Sequence, residues 1–426
     1  MPKRTHGTAS LSALAVALAV LGCGDDASTT PGWTGTIDTL PSGTILVRNP
    51  ASIDGGHAGD DGAPTATRLI EPDLRLGTAD GDGPELFGQV RDIEADALGR
   101  IYVLDTQAKE IRVFGSDGAH LRNIGRAGAG PGELEEPTGM EWGRHEHLWV
   151  EDPRNNRYTV FDTTGALVAT HPRNMNWRGF TWPGYFDGAG RLYLQDIDFS
   201  PEGREERLVR RDSTMAALDT FPLPEYEPLI YELVRNGLTR MAAGVPFSPR
   251  LQWLVARDGT LWFGVSGDYR LYQRALEGDT LRIVEREYEP IPVTSAERGE
   301  ALDLEFYRDM AEQGADIDPA RIPQFRPAWT SFTVDREGYL WVVPQIPDSM
   351  ATALDVFDPE GRYLGRRIVS APIQGATPGP VIRGEHLYAV TRDELGVQYV
   401  LRAPLGETEV LEMGEALEAP GSPESL

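Results

Sequence analysis

Apolar and polar residues alternate in short bursts along this chain, and one burst recurs six times. Ile101-Tyr102-Val103, Leu148-Trp149-Val150, Leu192-Tyr193-Leu194, Leu261-Trp262-Phe263, Leu340-Trp341-Val342 and Leu387-Tyr388-Ala389 all read aliphatic, aromatic, apolar. Gly99, Gly190, Gly259 and Gly338 stand just before four of them. Short β-prone runs bounded by Gly, Asp and Ser predict strands joined by tight turns. The aromatic centres lie 47, 44, 69, 79 and 47 residues apart. Strand-built units at a period of 40 to 50 predict a β-propeller, and six copies predict six blades.

The clearest blade runs from Phe87 to Gly125. Its predicted strands are Gln89 to Ala95, Arg100 to Asp105, Glu110 to Phe114 and His120 to Ile124, here named a, b, c and d. The two long spacings each leave room for an insertion between a strand d and the next strand a. In the first, about 222–249, Leu229, Ile230, Leu233, Val234, Leu238 and Met241 recur at helical spacing. In the second, about 289–327, Thr294-Ser295-Ala296-Glu297 reads as a capping box, Leu304, Tyr307 and Met310 continue one face, and Gly314 stops the helix. Leu74 to Leu86 mirrors Arg122 to Leu134, a strand d with its exit loop, yet no blade precedes it. Thr67 to Leu76 is therefore expected to complete the last blade. Trp33 to Arg48 and Glu407 to Glu412 are candidates for further outer strands. The expected fold class is all-β: a six-bladed β-propeller with two helical insertions and an N-terminal strand closing the last blade.

The N-terminus changes the picture from fold to location. Lys3 and Arg4 precede an apolar run, Leu11 to Leu21, that is too short to span a bilayer and ends at Gly22-Cys23. This resembles the lipobox of bacterial lipoproteins, which implies cleavage before Cys23 and acylation of that residue. Cys23 is the only cysteine, so no disulfide can form. The expected organisation is a signal peptide at 1–22, a flexible tether at 23–34, the propeller at 35–414 and a disordered tail at 415–426. Export to the cell envelope follows, with the outer membrane expected because no Asp directly follows Cys23. Loss of Lys3 and Arg4 takes the formal charge from −26 to −28. That charge excludes a nucleic-acid partner. A monomer held at a membrane by its lipid is the expected state.

The first blade carries Asp96-Ala97-Leu98-Gly99-Arg100-Ile101-Tyr102-Val103-Leu104-Asp105, then Glu110-Ile111-Arg112-Val113-Phe114. The second keeps Val150-Glu151-Asp152 and Asn156 to Phe161. These segments resemble the NHL-repeat family of β-propellers. The whole chain is similar to bacterial six-bladed propeller lipoproteins of unassigned activity.

In a propeller the b–c turns and d–a loops share one face, so both insertions stand around one mouth of the channel. Long loops on a rigid ring are where binding is expected. The candidate ligand-binding residues at that mouth are Arg91, Asp105, Asp152, Arg154, Asn155, Asp196, Arg250, Arg326 and Trp329. Asp at a strand end also commonly caps the following turn, Arg commonly pairs with a neighbouring carboxylate, and Trp329 also reads as core. His145 and His147 have the alternation of a metal pair but fall on the opposite face. Asp80 to Glu85 has the oxygen spacing of a Ca²⁺ loop but lacks its third acid and its downstream Glu. No cofactor is predicted, Ca²⁺ being the one metal considered. No Ser-His-Asp set or phosphate loop occurs. The reading is a surface-tethered, non-catalytic propeller that binds a peptide, a glycan or a partner protein on its insertion-bearing face. The alternative is a metal-dependent lyase or lactonase with its site at the channel mouth.

Overall fold

The computed structural model describes residues 33–52, 67–173, 184–200, 203–346, 351–374 and 379–406. The signal peptide, Cys23, the tail and Glu407 to Glu412 lie outside them.

Six antiparallel sheets follow one another along the chain, and each is a blade. Blade 1 consists of Val90–Ala95, Ile101–Asp105, Glu110–Phe114 and His120–Ile124. Its register sets Ile101 against both Ala95 and Phe114. Blades 2 to 6 repeat this order from inner strands at Gly139–Trp142, Tyr185–Phe186, Leu251–Val255, Trp329–Val334 and Val381–Arg383. The chain is a six-bladed β-propeller.

The recurring triplet is strand b, the most buried strand of each blade; in blade 1 all of Ile101 to Asp105 is buried. Its aromatic centre faces the next blade and, in blades 1, 3 and 5, also closes its own a–b turn. The Asp96 carboxylate accepts from the Leu98 and Arg100 amides at 2.9 and 3.0 Å and from the Tyr102 hydroxyl at 3.2 Å. Asp187 with Tyr193, and Asp335 with Trp341, repeat the device at 2.8 and 2.9 Å. The aromatic body stabilises the seam by apolar burial, while the turn satisfies its polar tip. Tyr102 meets Trp142 of blade 2 edge-on at 5.0 Å.

Ring closure differs in detail from the expectation. Leu74–Leu76 pairs with strand c of blade 6, Gln398–Pro404, and serves as its fourth strand. Asp73 grips Arg402 with two contacts of 2.9 and 2.8 Å beside it. Arg68–Ile70 instead runs parallel to Tyr363–Val369 as a fifth strand on blade 5. Pro72, which has no N–H to give to a ladder, lies between the two. Upstream, Thr36–Thr39 and Ile45–Asn49 add two outer strands to blade 4. The N-terminal segment thus straps three consecutive blades. Asn49 locks it: its amide donates to the carbonyls of Glu285 and Gly361 at 3.0 Å, and its oxygen accepts from the Tyr363 amide at 2.7 Å.

The first insertion is a correction. It is a β-hairpin, Ile230–Arg235 with Leu238–Gly244, not a helix. Asn236-Gly237 makes its two-residue turn at φ of 55° and 72°, the pair that such a hairpin requires. Tyr231 and Leu233 are buried while Glu232 is exposed, a period of two. The second insertion is helical. Thr294 and Glu297 form the expected capping box, and helix α1 spans Ser295–Leu302. The chain breaks at Asp303-Leu304 before helix α2, Glu305–Glu312. Gly314 follows at φ of 96°.

Candidate functional site

The predicted mouth residues do not converge on one point. Asp105 is fully buried, and its carboxylate accepts from the amides of Gly88, Gln89 and Ala108 at 2.8 to 3.1 Å. Asp152 accepts from the amides of Glu135 and Glu136 at 3.0 Å and from the Asn155 amide group at 2.6 Å. Both carboxylates fasten a d–a loop to the b–c turn beside it. Asn155 also donates to the Gly128 carbonyl at 3.0 Å. Arg154 is paired with Glu135 at 3.7 Å, and Arg326 with Glu297. The Arg250 amide donates to the Ser266 hydroxyl at 3.0 Å. Arg91 sits half-buried on the inner strand of blade 1. Trp329 is core, fully buried, with its indole N–H on the Asp268 carbonyl at 2.9 Å. Asp196 differs from the other two aspartates in being partly exposed, and it accepts from Arg211 at 2.9 Å.

The metal candidates resolve as local structure. The His145 and His147 rings lie 5.9 Å apart on the a–b turn of blade 2. The Asp80 to Glu85 segment is closed by the Thr78 amide on the Glu85 carbonyl at 3.1 Å. Among the described residues no three His, Cys, Asp or Glu come together as a metal-binding set.

Two features do stand out. The first is a cap. The hairpin and the two helices share one small core of Tyr231, Leu233, Val245, Val293, Met310 and Ile322. Hydrogen bonds stitch the insertions together: Tyr231 Oη donates to the Asp318 carbonyl, and Tyr307 Oη to the Gly244 carbonyl, each at 2.7 Å. The cap leaves Leu238, Leu304, Phe306 and Phe325 exposed by 58, 59, 48 and 48 %.

The second feature escaped the sequence reading. Asp92 and Glu94 alternate on the inner strand of blade 1, and Glu141 occupies the matching register on blade 2, opposite Trp149 as Glu94 is opposite Tyr102. Each keeps some surface open, but the crowded wall around each carboxylate dominates. Desolvation pushes Asp92 up to about 7, against the pull of the Met140 and Ile93 amides. Burial, then the neighbouring acids Glu141 and Asp92, push Glu94 well up. Glu141 also rises through burial, opposed by the Trp142 amide and by Arg257 and Arg383. The Asp92 carboxylate ties two blades together by accepting from the Met140 amide at 2.8 Å. Acids at matching positions of adjacent inner strands were the available signal; a search for histidines alone passes over them.

A family model described as a 6-bladed beta-propeller, DUF5128, matches residues 76–170, which span blades 1 and 2. No curated protein matches the chain. Among solved structures, a Bacteroides fragilis protein described as exported aligns at 13% identity and a TM-score of 0.47, over 85% of this chain and 100% of its own. Virginiamycin B lyase from Staphylococcus aureus aligns at 10% identity and 0.41, over 78% of this chain and 98% of its own. A gluconolactonase from Xanthomonas campestris aligns at 13% identity and 0.39, over 75% and 88%. No helix among the described residues is long and apolar enough to cross a membrane.

Proposed function

We propose that this protein is an exported propeller, anchored in the envelope through a lipid on Cys23, that binds a partner protein or peptide with its capped face. The cap carries this reading. Two insertions separated along the chain by blade 4 fold into one unit, which has its own core and presents apolar side chains outward. Exposed apolar surface is costly to keep in water, and a partner that covers it recovers that cost. The short apolar run that ends at the sole cysteine supports the anchor. Photocrosslinkers placed at Leu238 and Phe306 should yield one discrete adduct in cell envelopes, and one placed at Leu218 on the outer strand of blade 3 should not. Equal labelling at all three positions refutes the capped-face reading. Replacing Cys23 with Ser should move the protein out of the membrane fraction, and a protein that stays there refutes the anchor alone.

A second reading, favoured by the acids of the inner strands, is a lyase- or lactonase-type enzyme. Carboxylic acids held protonated near neutral pH can serve as general acids. Hydrolase or lyase turnover that Glu141→Gln abolishes, with the fold intact, would select this reading over the first.

A further inference from the structure

Blade 3 departs from its neighbours at its c–d turn. At the left-handed position of the c–d turn, blades 1, 2, 4 and 5 have Gly118, Gly165, Gly278 and Gly361, and blade 3 has Met215 at φ of 69°. A left-handed, unbranched but bulky residue costs about 1–2 kcal/mol there. In blades 1, 2 and 5 the glycine lies against the preceding blade: a Cβ at Gly118, Gly165 or Gly361 would meet Leu74, Ile124 or Val284 at 2.8 to 2.9 Å. The methionine takes that space at the seam between blades 2 and 3. A cavity of about 240 Å³ opens there.

Its wall is mixed. Leu194, Met215, Ala216 and Pro172 give it apolar surface, and the Tyr158 ring is buried at its edge. Asp196 and Arg211 supply one charge of each sign, 2.9 Å apart and both partly open to solvent. Arg211 also donates to the Met215 carbonyl at 3.2 Å, which couples the charged pair to the unusual turn. Its Nε is buried and has no acceptor among the described residues. The volume holds roughly eight waters at ~30 Å³ each, below the range of drug-sized ligands.

We propose that the seam between blades 2 and 3 binds a small zwitterion, an α-amino acid with an apolar side chain. Its carboxylate replaces Asp196 on Arg211, its ammonium takes the freed Asp196, and its side chain packs on Leu194 and Met215. Because the paired charges cancel, the site selects a ligand that carries both signs rather than one. This site shares no residue with the cap or with the acids of the inner strands, so it stands independently of the partner-binding reading.

The test is calorimetric titration of the purified full chain with L-leucine, N-acetyl-L-leucine and L-leucinamide. Leucine should bind, and each blocked form should bind at least about tenfold more weakly. Arg211→Gln and Asp196→Asn should each weaken leucine by at least about tenfold. Ala216→Trp, at the exposed rim, should block the cavity while melting like the parent protein, which separates occlusion from misfolding. The proposal is overturned if leucine does not bind, if either blocked form binds as tightly as leucine, or if the Ala216→Trp protein, melting like the parent, still binds.

Discussion

Two seams of this ring are built from the same turn and end differently. In blade 2, Asp162 accepts from the Thr164 amide, the Thr164 hydroxyl and the Ala166 amide at 2.8, 2.6 and 3.0 Å. In blade 3, Asp212 accepts from the Thr214 amide, the Thr214 hydroxyl and the Ala216 amide at 2.8, 2.6 and 3.1 Å. Inside the loop's frame Thr163 is matched by Ser213, and the left-handed position holds Gly165 in one and Met215 in the other. Gly165 lets blade 2 close on Ile124 of blade 1, whereas Met215 stands where blade 3 would close on blade 2. Local hydrogen bonding thus determines the shape of the turn, and between these two seams the residue at its left-handed position differs.

The largest effect is expected at a shut seam whose closure is ionic. Between blades 4 and 5, Asp355 is fully buried and accepts from Arg366 at 2.7 and 3.0 Å and from the hydroxyls of Tyr269 and Tyr363 at 2.7 and 3.0 Å. Arg286 of blade 4 lies 3.3 Å away and stacks on the Tyr363 ring at 4.4 Å. Burial raises this carboxyl, but Arg366 and Arg286 outweigh it and hold it below its ordinary range. Asp355→Ala leaves buried Arg286 and half-buried Arg366 without their fully buried partner, which costs about 3–5 kcal/mol. Chemical unfolding should show the loss. Asp196→Ala at the open seam, whose pair is partly exposed, should cost at most about 1 kcal/mol. Equal losses would mean that the two seams do not differ in burial as described.

The next effect transplants the difference. Gly165→Met puts the side chain of the open seam into the closed one. A Cβ there meets Ile124 Cγ1 at 2.9 Å at a φ of 88°. Overpacking of about 1–3 kcal/mol and left-handed strain of about 1–2 kcal/mol act together. A loss near 3 kcal/mol in unfolding free energy is expected. A loss under 1 kcal/mol would show that seam 1–2 has slack the packing does not reveal.

Much of this was legible in the chain. The aromatic triplets gave the blade count because each seals a seam, and those of blades 1, 3 and 5 also close a turn. The capping box at Thr294 and Glu297 is a local device and reads locally. The first insertion reads as a helix because Leu229, Ile230, Leu233 and Val234 fall at helical spacing, whereas the strand alternation runs through Tyr231 and Leu233; Asn236-Gly237 is the deciding signal. The split of Thr67 to Leu76 between two blades depends on partners some 300 residues away, which no local pattern encodes. The same holds for the acids of the inner strands and for the cavity, since both arise where two blades meet.

The inner ends of the seams offer a pH test. Glu141 is held protonated by burial above its ordinary 4.5, beside Glu94, whose pKa rises by the same cause. Below pH 4.5 folded and unfolded chains both carry these protons. As pH rises from there through neutrality the folded chain keeps protons that the unfolded chain releases, so these groups lose stability on the alkaline side. Glu141→Gln keeps the acceptor for the Trp142 amide, made at 3.0 Å by the parent oxygen, and removes the titration. The variant should melt like the parent at pH 4 and above it at pH 8. A variant that gains nothing at pH 8 would show that Glu141 is ionised and solvated in the folded protein.

The smallest effect is the reverse transplant. Met215→Gly removes about 1–2 kcal/mol of left-handed strain. It also adds the backbone entropy cost of glycine, about 0.5–1 kcal/mol, and gives up the apolar contact of a half-buried methionine, of similar size. These terms offset each other, so the unfolding free energy should change by less than about 1 kcal/mol in either direction. The asymmetry with Gly165→Met carries the meaning. If the methionine served stability, its removal would cost as much as its insertion elsewhere. A near-neutral change in stability, together with weaker L-leucine binding in calorimetry, would show that Met215 is held at a strained backbone position for the cavity it lines. A loss near 3 kcal/mol would instead make Met215 a packing residue, and the two seams would then be two solutions to the same packing problem.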